Sequence, residues 1–202
     1  MITGPKEDMA RGVMADYLGN VYVVGHFTDT AVVVLNQNDT VAMSSEGGQD
    51  VFVVKYNADG QFQWQVNGGG TGDDTGTDLA WHPSGSILVC GGFQNRATFG
   101  QTSILSHGLT DAFLFKIDNY GGVHWIQRGG GLEHDVAASV AVDQIDGWVY
   151  ITGDYYADAN FSGTQLTALG SSDMFLAKYS EAGVFQWAIN NGGTTVDVAT
   201  KV

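Results

Sequence analysis

The chain has 202 residues, 44% of them hydrophobic, which is enough for a sizeable core and unlike a disordered composition. Its net charge of −14, from 22 acidic against 8 basic residues, excludes a surface for nucleic acid or anionic membranes, since both need a basic face. A single cysteine excludes an internal disulfide, and no apolar run is long enough to cross a bilayer as a helix.

In chain order, one pattern repeats with almost fixed spacing over residues 4–69, 70–130 and 131–192, and restarts over 193–202. The opening run Met1-Ile2-Thr3-Gly4-Pro5-Lys6 leads straight into the first repeat and does not read as a signal peptide. Asp8, Asp74, Asp135 and Asp197 mark one position, each four residues after a glycine (Gly4, Gly70, Gly131, Gly193). A turn glycine follows (Gly19, Gly85, Gly147), then a β-rich run ending in Gly25, Gly91 or Gly153. The second half of each unit carries Asp50, Asp111 or Asp173, then Lys55, Lys116 or Lys178 five residues on, and Trp64, Trp125 or Trp187 fourteen residues on. The first unit is longer by five residues, all between Gly25 and Asp50.

Each unit holds four runs rich in β-branched and aromatic residues, which in the second unit are 77–81, 86–91, 112–117 and 123–127. Glycine and asparagine stand between them where hairpins need positive φ, as in Asn57-Ala58-Asp59-Gly60 and Asn119-Tyr120-Gly121-Gly122. No stretch shows apolar residues at helical spacing, so essentially no helix is expected. A repeat of this length, read as strands, is a β-propeller blade. The expected fold is all-β: an arc of about three four-stranded antiparallel blades, with 193–202 as the first strand of a fourth, in one region spanning 1–202.

The run Phe99-Gly100 … Asp111-Ala112-Phe113 … Lys116 … Gly121 … Trp125 … Gly129-Gly130, and its counterpart from Phe161 to Gly193, resembles the bacterial seven-bladed β-propeller repeat (SBBP) family. So does Asp16 … Gly19-Asn20-Val21-Tyr22-Val23-Val24-Gly25. The first unit lacks the Phe-x-Gly element between Ala31 and Glu46. The resemblance covers nearly the whole chain. It implies a propeller in an extracellular or cell-surface repeat protein and says almost nothing about activity.

Three blades cannot close a ring, so the chain reads as a piece of a longer propeller. Its open edges need further blades of a longer chain, or other copies of this one, to cover them. Asp8, Asp74, Asp135, Asp197, Lys55, Lys116, Lys178, Trp64, Trp125 and Trp187 recur in every copy, which points to the blade itself: turn caps, ion pairs and seals between sheets. Function is expected where the copies differ. The loop Gly72-Asp73-Asp74-Thr75-Gly76-Thr77-Asp78 offers three carboxylates, Asp73, Asp74 and Asp78, as oxygen ligands for calcium. Asp154-Tyr155-Tyr156-Ala157-Asp158 and its counterpart with Phe93, Asn95 and Arg96 combine flat rings with polar groups, as a glycan site requires. Cys90 lies in an apolar run and reads as a small core residue.

No nucleophile–base set or phosphate loop emerges from the spacing. The expected function is therefore non-catalytic: a surface scaffold or adhesion module binding a protein or glycan partner through blade loops. Two rival readings are a structural subunit of an extracellular assembly, joined through open edges, and a polysaccharide lyase or hydrolase. An enzyme is distinguished by a carboxyl group titrating well above its ordinary value, which turn aspartates do not show.

Overall fold

A computed structural model describes residues 2–35 and 39–202. The first repeat contains β1 (Ile2–Thr3), β2 (Asp8–Ala15), β3 (Val21–Val34), β4 (Thr40–Tyr56) and β5 (Phe62–Gly70). The second contains β6 (Thr75–Trp81), β7 (Ile87–Phe93), β8 (Arg96–Phe99), β9 (Thr102–Leu105), β10 (Asp111–Ile117) and β11 (Val123–Gly131). The third contains β12 (Asp135–Val142), β13 (Val149–Tyr155), β14 (Asp158–Phe161), β15 (Thr164–Thr167), β16 (Asp173–Tyr179) and β17 (Phe185–Asn191). No helix occurs among the described residues.

The four runs read from each repeat form an antiparallel meander: β2-β3-β4-β5, then β6-β7-β10-β11, then β12-β13-β16-β17. Glycines with φ of 76°, 91° and 76° at Gly60, Gly121 and Gly183 turn the last hairpin of each blade. The innermost strands β2, β6 and β12 lie beside one another, as blades do around a common axis.

Each repeat also carries a hairpin that the four-strand reading missed. In the second and third repeats β8-β9 and β14-β15 leave their own blade and pair with the last strand of the blade before. Gly68, Gly69 and Gly70 of β5 pair with Phe99, Thr98 and Ala97, and Gly129, Gly130 and Gly131 of β11 pair with Phe161, Asn160 and Ala159. The Phe-x-Gly element is the tip of this hairpin. In the first repeat the far half of β3 and the near half of β4 take its place, with Val33 where Phe99 stands. The strand β1 pairs with Val32 and Val33 of β3, in the place of a preceding blade's last strand.

Phe27, Phe52 and Val54 form a smaller cluster within the first blade, and the rest of the core sits between blades. Tyr22, Val24, Val51 and Val53 of the first blade pack against Leu79, Ile87, Val89, Phe99, Phe113 and Phe115 of the second. At the next junction Leu88, Cys90, Ala112 and Leu114 take the same part against Ile151, Phe161, Phe175 and Tyr179. Cys90 is fully buried there and its thiol is pushed up to about 12, chiefly by burial. The expected first strand of a fourth blade is not a strand. Only Val196 forms a bridge, to Ser172. In the other blades this strand pairs with the second strand of its own sheet, and 193–202 have no such strand to pair with.

Candidate functional site

The loops expected to hold a glycan lose their main platforms. Phe93 and Tyr155 are 0% exposed, as the last residues of β7 and β13 on the core face. The Tyr155 hydroxyl accepts a hydrogen bond from Asn190 Nδ2 at 2.9 Å. Tyr156, Asp158, Asn95 and Arg96 stay exposed, while Asp154 is half-buried, with its carboxyl raised by burial. Asn95 is held at φ 57°, a left-handed turn position matched by Asp29 and Ala157, so its first role is to start the hairpin.

The calcium set is not brought together either. Asp74 is buried, its Oδ2 accepting from Gly70 N at 2.7 Å and its Oδ1 from Gln94 N at 3.0 Å. Asp78 points to the third blade, accepting from Ser139 Oγ at 2.7 Å and pairing with Lys201 Nζ at 3.0 Å. Asp73 stays exposed and caps Gln49 N at 3.0 Å. The three carboxylates turn to separate donors, and among the described residues no three His, Cys, Asp or Glu side chains form a metal cage.

The leading aspartates cap the glycine four residues before them, with Gly131 N–Asp135 Oδ2 at 2.6 Å and Gly193 N–Asp197 Oδ2 at 2.7 Å. Asp8 likewise takes the N–H of Gly4. At each junction a second buried carboxyl faces them. A Cβ at Gly69 would lie 2.5 Å from Asp50 Oδ1 and 2.7 Å from Asp74 Oδ2, so only glycine fits between the two. Gly130 separates Asp111 from Asp135 in the same way. Burial raises Asp50 to about 6, with Glu46 adding to it, and raises Asp74 and Asp135 to about 7, with Asp50 and Asp111 across the glycine adding to it, against the pull of their backbone hydrogen bonds. These raised carboxyls sit inside blade junctions, so the titration mark expected of an enzyme arises here from packing.

The repeated tryptophans and lysines lie across junctions. Trp64 Nε1 donates to Asn119 O at 2.9 Å and Trp125 Nε1 to Glu181 O at 3.1 Å, both in the last turn of the next blade. Lys55 reaches Asn119, and Lys116 pairs with Glu181 at 2.9 Å. The third copies have no such turn beside them. Trp187 is 37% exposed, and Lys178 lies 3.9 Å from the Trp148 ring centre instead.

A surface groove of about 610 Å³ opens at these turns between the second and third blades. Trp125 and Trp148 line it, and Lys116, His124, Asp146 and Glu181 supply polar groups. Reading by repeat equivalence did not single out Trp148 or Glu181 and did not bring His124 and Asp146 together with them. The signal was present in one of them: Trp148 precedes Val149 of the second blade strand, where the other units carry Asn20 and Ser86.

No family model matches the chain. It is 28% identical over 170 residues to Regulatory protein FlaEY of Caulobacter vibrioides, a match covering 82% of this chain and 17% of that protein. It is 27% identical over 178 residues to an uncharacterized WD repeat-containing protein, L264, of Acanthamoeba polyphaga mimivirus, a match covering 76% of this chain and 13% of that protein. The chain thus spans under a fifth of the length of either relative. The fold is a β-propeller. Its polar repeat positions are spent on joining blades, which leaves the grooves and open faces as the parts free to meet other molecules.

Proposed function

We propose that this propeller arc is a non-catalytic binding scaffold, working outside the cell or at its surface, that holds a protein or glycan partner in the groove between its second and third blades. The observation that carries this reading is the groove itself: two indole rings beside an aspartate, a glutamate and a histidine, at blade turns where the copies differ. Stacking on an aromatic face with hydrogen bonds at its rim suits a sugar ring or a polar peptide side chain. The SBBP resemblance supports the extracellular setting, and neither relative carries an enzyme activity in its name. The test is a binding screen against glycans and surface proteins, read by tryptophan fluorescence, with Trp148→Ala as the control. Binding that survives Trp148→Ala unchanged would sink the reading.

A second reading has its own support. The first blade presents an open groove of about 450 Å³ lined by Ile2, Met9, Val23, Phe52 and Tyr56, the side that in the other blades receives a preceding neighbour. The third blade presents Tyr150, Met174 and Leu176, equivalents of the residues that fill such a face. The arc would then be a structural element whose ends join further blades or other copies. The native mass in solution tests this: a single-chain mass at high concentration argues against joining between copies.

A further inference from the structure

Two grooves run along equivalent lines, each between the last strand of one blade and the hairpin lent by the next. The first, about 350 Å³, has Asp50 at its floor with Glu46, Asn67 and Thr98 around it. The second, about 340 Å³, carries His107, Arg128 and Asn160 at the matching positions. The exchange of Glu46 for His107 removes a negative charge, and that of Asn67 for Arg128 adds a positive one opposite Asp111.

The second groove brings its own cation. Arg128 Nη1 donates to Asp111 Oδ2 at 3.2 Å, and Arg128 Nη2 lies 2.7 Å from His107 Nε2. Asp50 Oδ2 receives the Glu46 N–H at 3.1 Å, and the Gly70 N–H also favours the charged Asp50 carboxylate, but no cationic side chain pairs with it among the described residues. Asp50 is 1% exposed and Asp74 stands across Gly69; among the described residues Asp50 Oδ1 has no hydrogen-bond partner, a feature it shares with Asp111 Oδ1, so the two carboxyls are told apart by the ion pair at Oδ2. No basic side chain lines this groove. Burying carboxylates without a counter-charge is costly, and the charge that meets the cost in the second groove is visible in Arg128.

We propose that the first groove is a cation-binding site, which takes from outside the positive charge that Arg128 supplies in the second. Its ligand is either a hard metal ion or the guanidinium or ammonium group of a partner's side chain. Asp50 and Glu46 offer carboxylate oxygens, and Asn67 and Thr98 neutral ones. A metal ion here keeps several waters, since among the described residues no third acidic or imidazole group completes a cage. This site is separate from the tryptophan groove and stands whether or not a glycan binds there.

The experiment uses the whole chain at pH 8, where the neighbouring carboxyls are ionised. Thermal unfolding is followed against calcium chloride, magnesium chloride and arginine methyl ester, each at ionic strength matched with sodium chloride. The expected result is a saturable rise of roughly 2–4 °C with at least one of them. A response to the divalent salts identifies a metal ion, and one confined to the arginine ester identifies a basic side chain. Asn67→Arg, which copies the second groove at an exposed position, is expected to raise the melting temperature alone and to abolish the response. Asp50→Asn is expected to abolish it too. No saturable response in the native chain, or one that persists in both variants, overturns the proposal.

Discussion

The junction between the second and third blades and the free face of the third blade are built from the same residue types at the same repeat positions. At the junction Trp125 donates to Glu181 O at 3.1 Å and Lys116 meets Glu181 Oε1 at 2.9 Å. On the free face Trp187 is partly bare and Lys178 folds back onto Trp148. Leu114 is core at the junction, whereas its counterpart Leu176 is half-buried. Residue identity therefore does not decide whether these side chains are core or surface. The presence of the next blade does, because the hydrophobic gain needs a second face to exclude water.

The largest expected effect tests this at the aromatic layer. Phe113 is buried against Phe99 and Phe115, with ring centres 5.2 and 5.4 Å away, and the first blade packs over it. Phe52 occupies the same repeat position in the first blade but lines the open groove. Phe113→Ala is expected to cost about 3–5 kcal/mol in urea unfolding, and Phe52→Ala distinctly less, because its cavity opens to solvent. Equal losses would break the comparison.

The meander of each blade was legible because its strands alternate and its turns carry glycine where φ is positive, as at Gly60 and Gly121. The lent hairpin was not. Runs such as 96–99 and 102–105 are four residues long, and their pairing to the preceding blade is a long-range fact that no local pattern encodes. Site residues failed for a related reason. Phe93 and Tyr155 look like loop aromatics in the sequence, yet strand alternation carries them into the core. Trp148 could have been found as the single large ring at a position that is small and polar in the other copies. Arg128 facing Asp111 could not, because the two meet only across the β10–β11 register.

The next effect in size concerns the tryptophans. Trp125→Ala removes a half-buried ring and the hydrogen bond to Glu181 O, and is expected to cost about 2–3 kcal/mol. Trp187→Ala removes a ring with no blade beyond it and is expected to cost under about 1 kcal/mol in the isolated chain. If a partner that covers this face is added, the two costs should converge, which sharpens the comparison into an assay for that partner.

The junction carboxyls give a pH dependence of definite sign. Asp50 rises to about 6, and Asp74 and Asp135 rise to about 7, so the folded state holds protons that the unfolded chain releases. Such groups give their full stability below their ordinary range near 4, and lose it as pH climbs through 6 and 7. The lowered carboxyls Asp16, Asp118 and Glu181 act oppositely, their stability being lost on acidification below about 4. Without added cations, the melting temperature is expected to peak near pH 5 and to fall towards pH 8. Asp50→Asn, which removes one buried charge at constant shape, is expected to flatten that fall and to stabilise the chain at pH 8 by about 1–2 kcal/mol. A melting temperature that rises from pH 5 to pH 8 would contradict the assignment.

The smallest expected effect separates the lysines. Lys116 pairs with a half-exposed Glu181, so its ion pair is screened and is worth at most about 1 kcal/mol. Lys178 lies over Trp148 and is worth a similar amount through the ring face, with a weaker dependence on salt. Lys116→Met and Lys178→Met therefore cannot be told apart by one melting temperature. They can be separated by salt: the cost of Lys116→Met should shrink between 0.05 and about 0.5 M sodium chloride as the Debye length shortens, while that of Lys178→Met stays nearly level. A double-mutant cycle with Glu181→Gln should show coupling for Lys116 and none for Lys178. Coupling of Glu181 to both lysines would mean that the free face is already organised like a closed junction, and that the missing neighbour matters less than the repeat's own geometry.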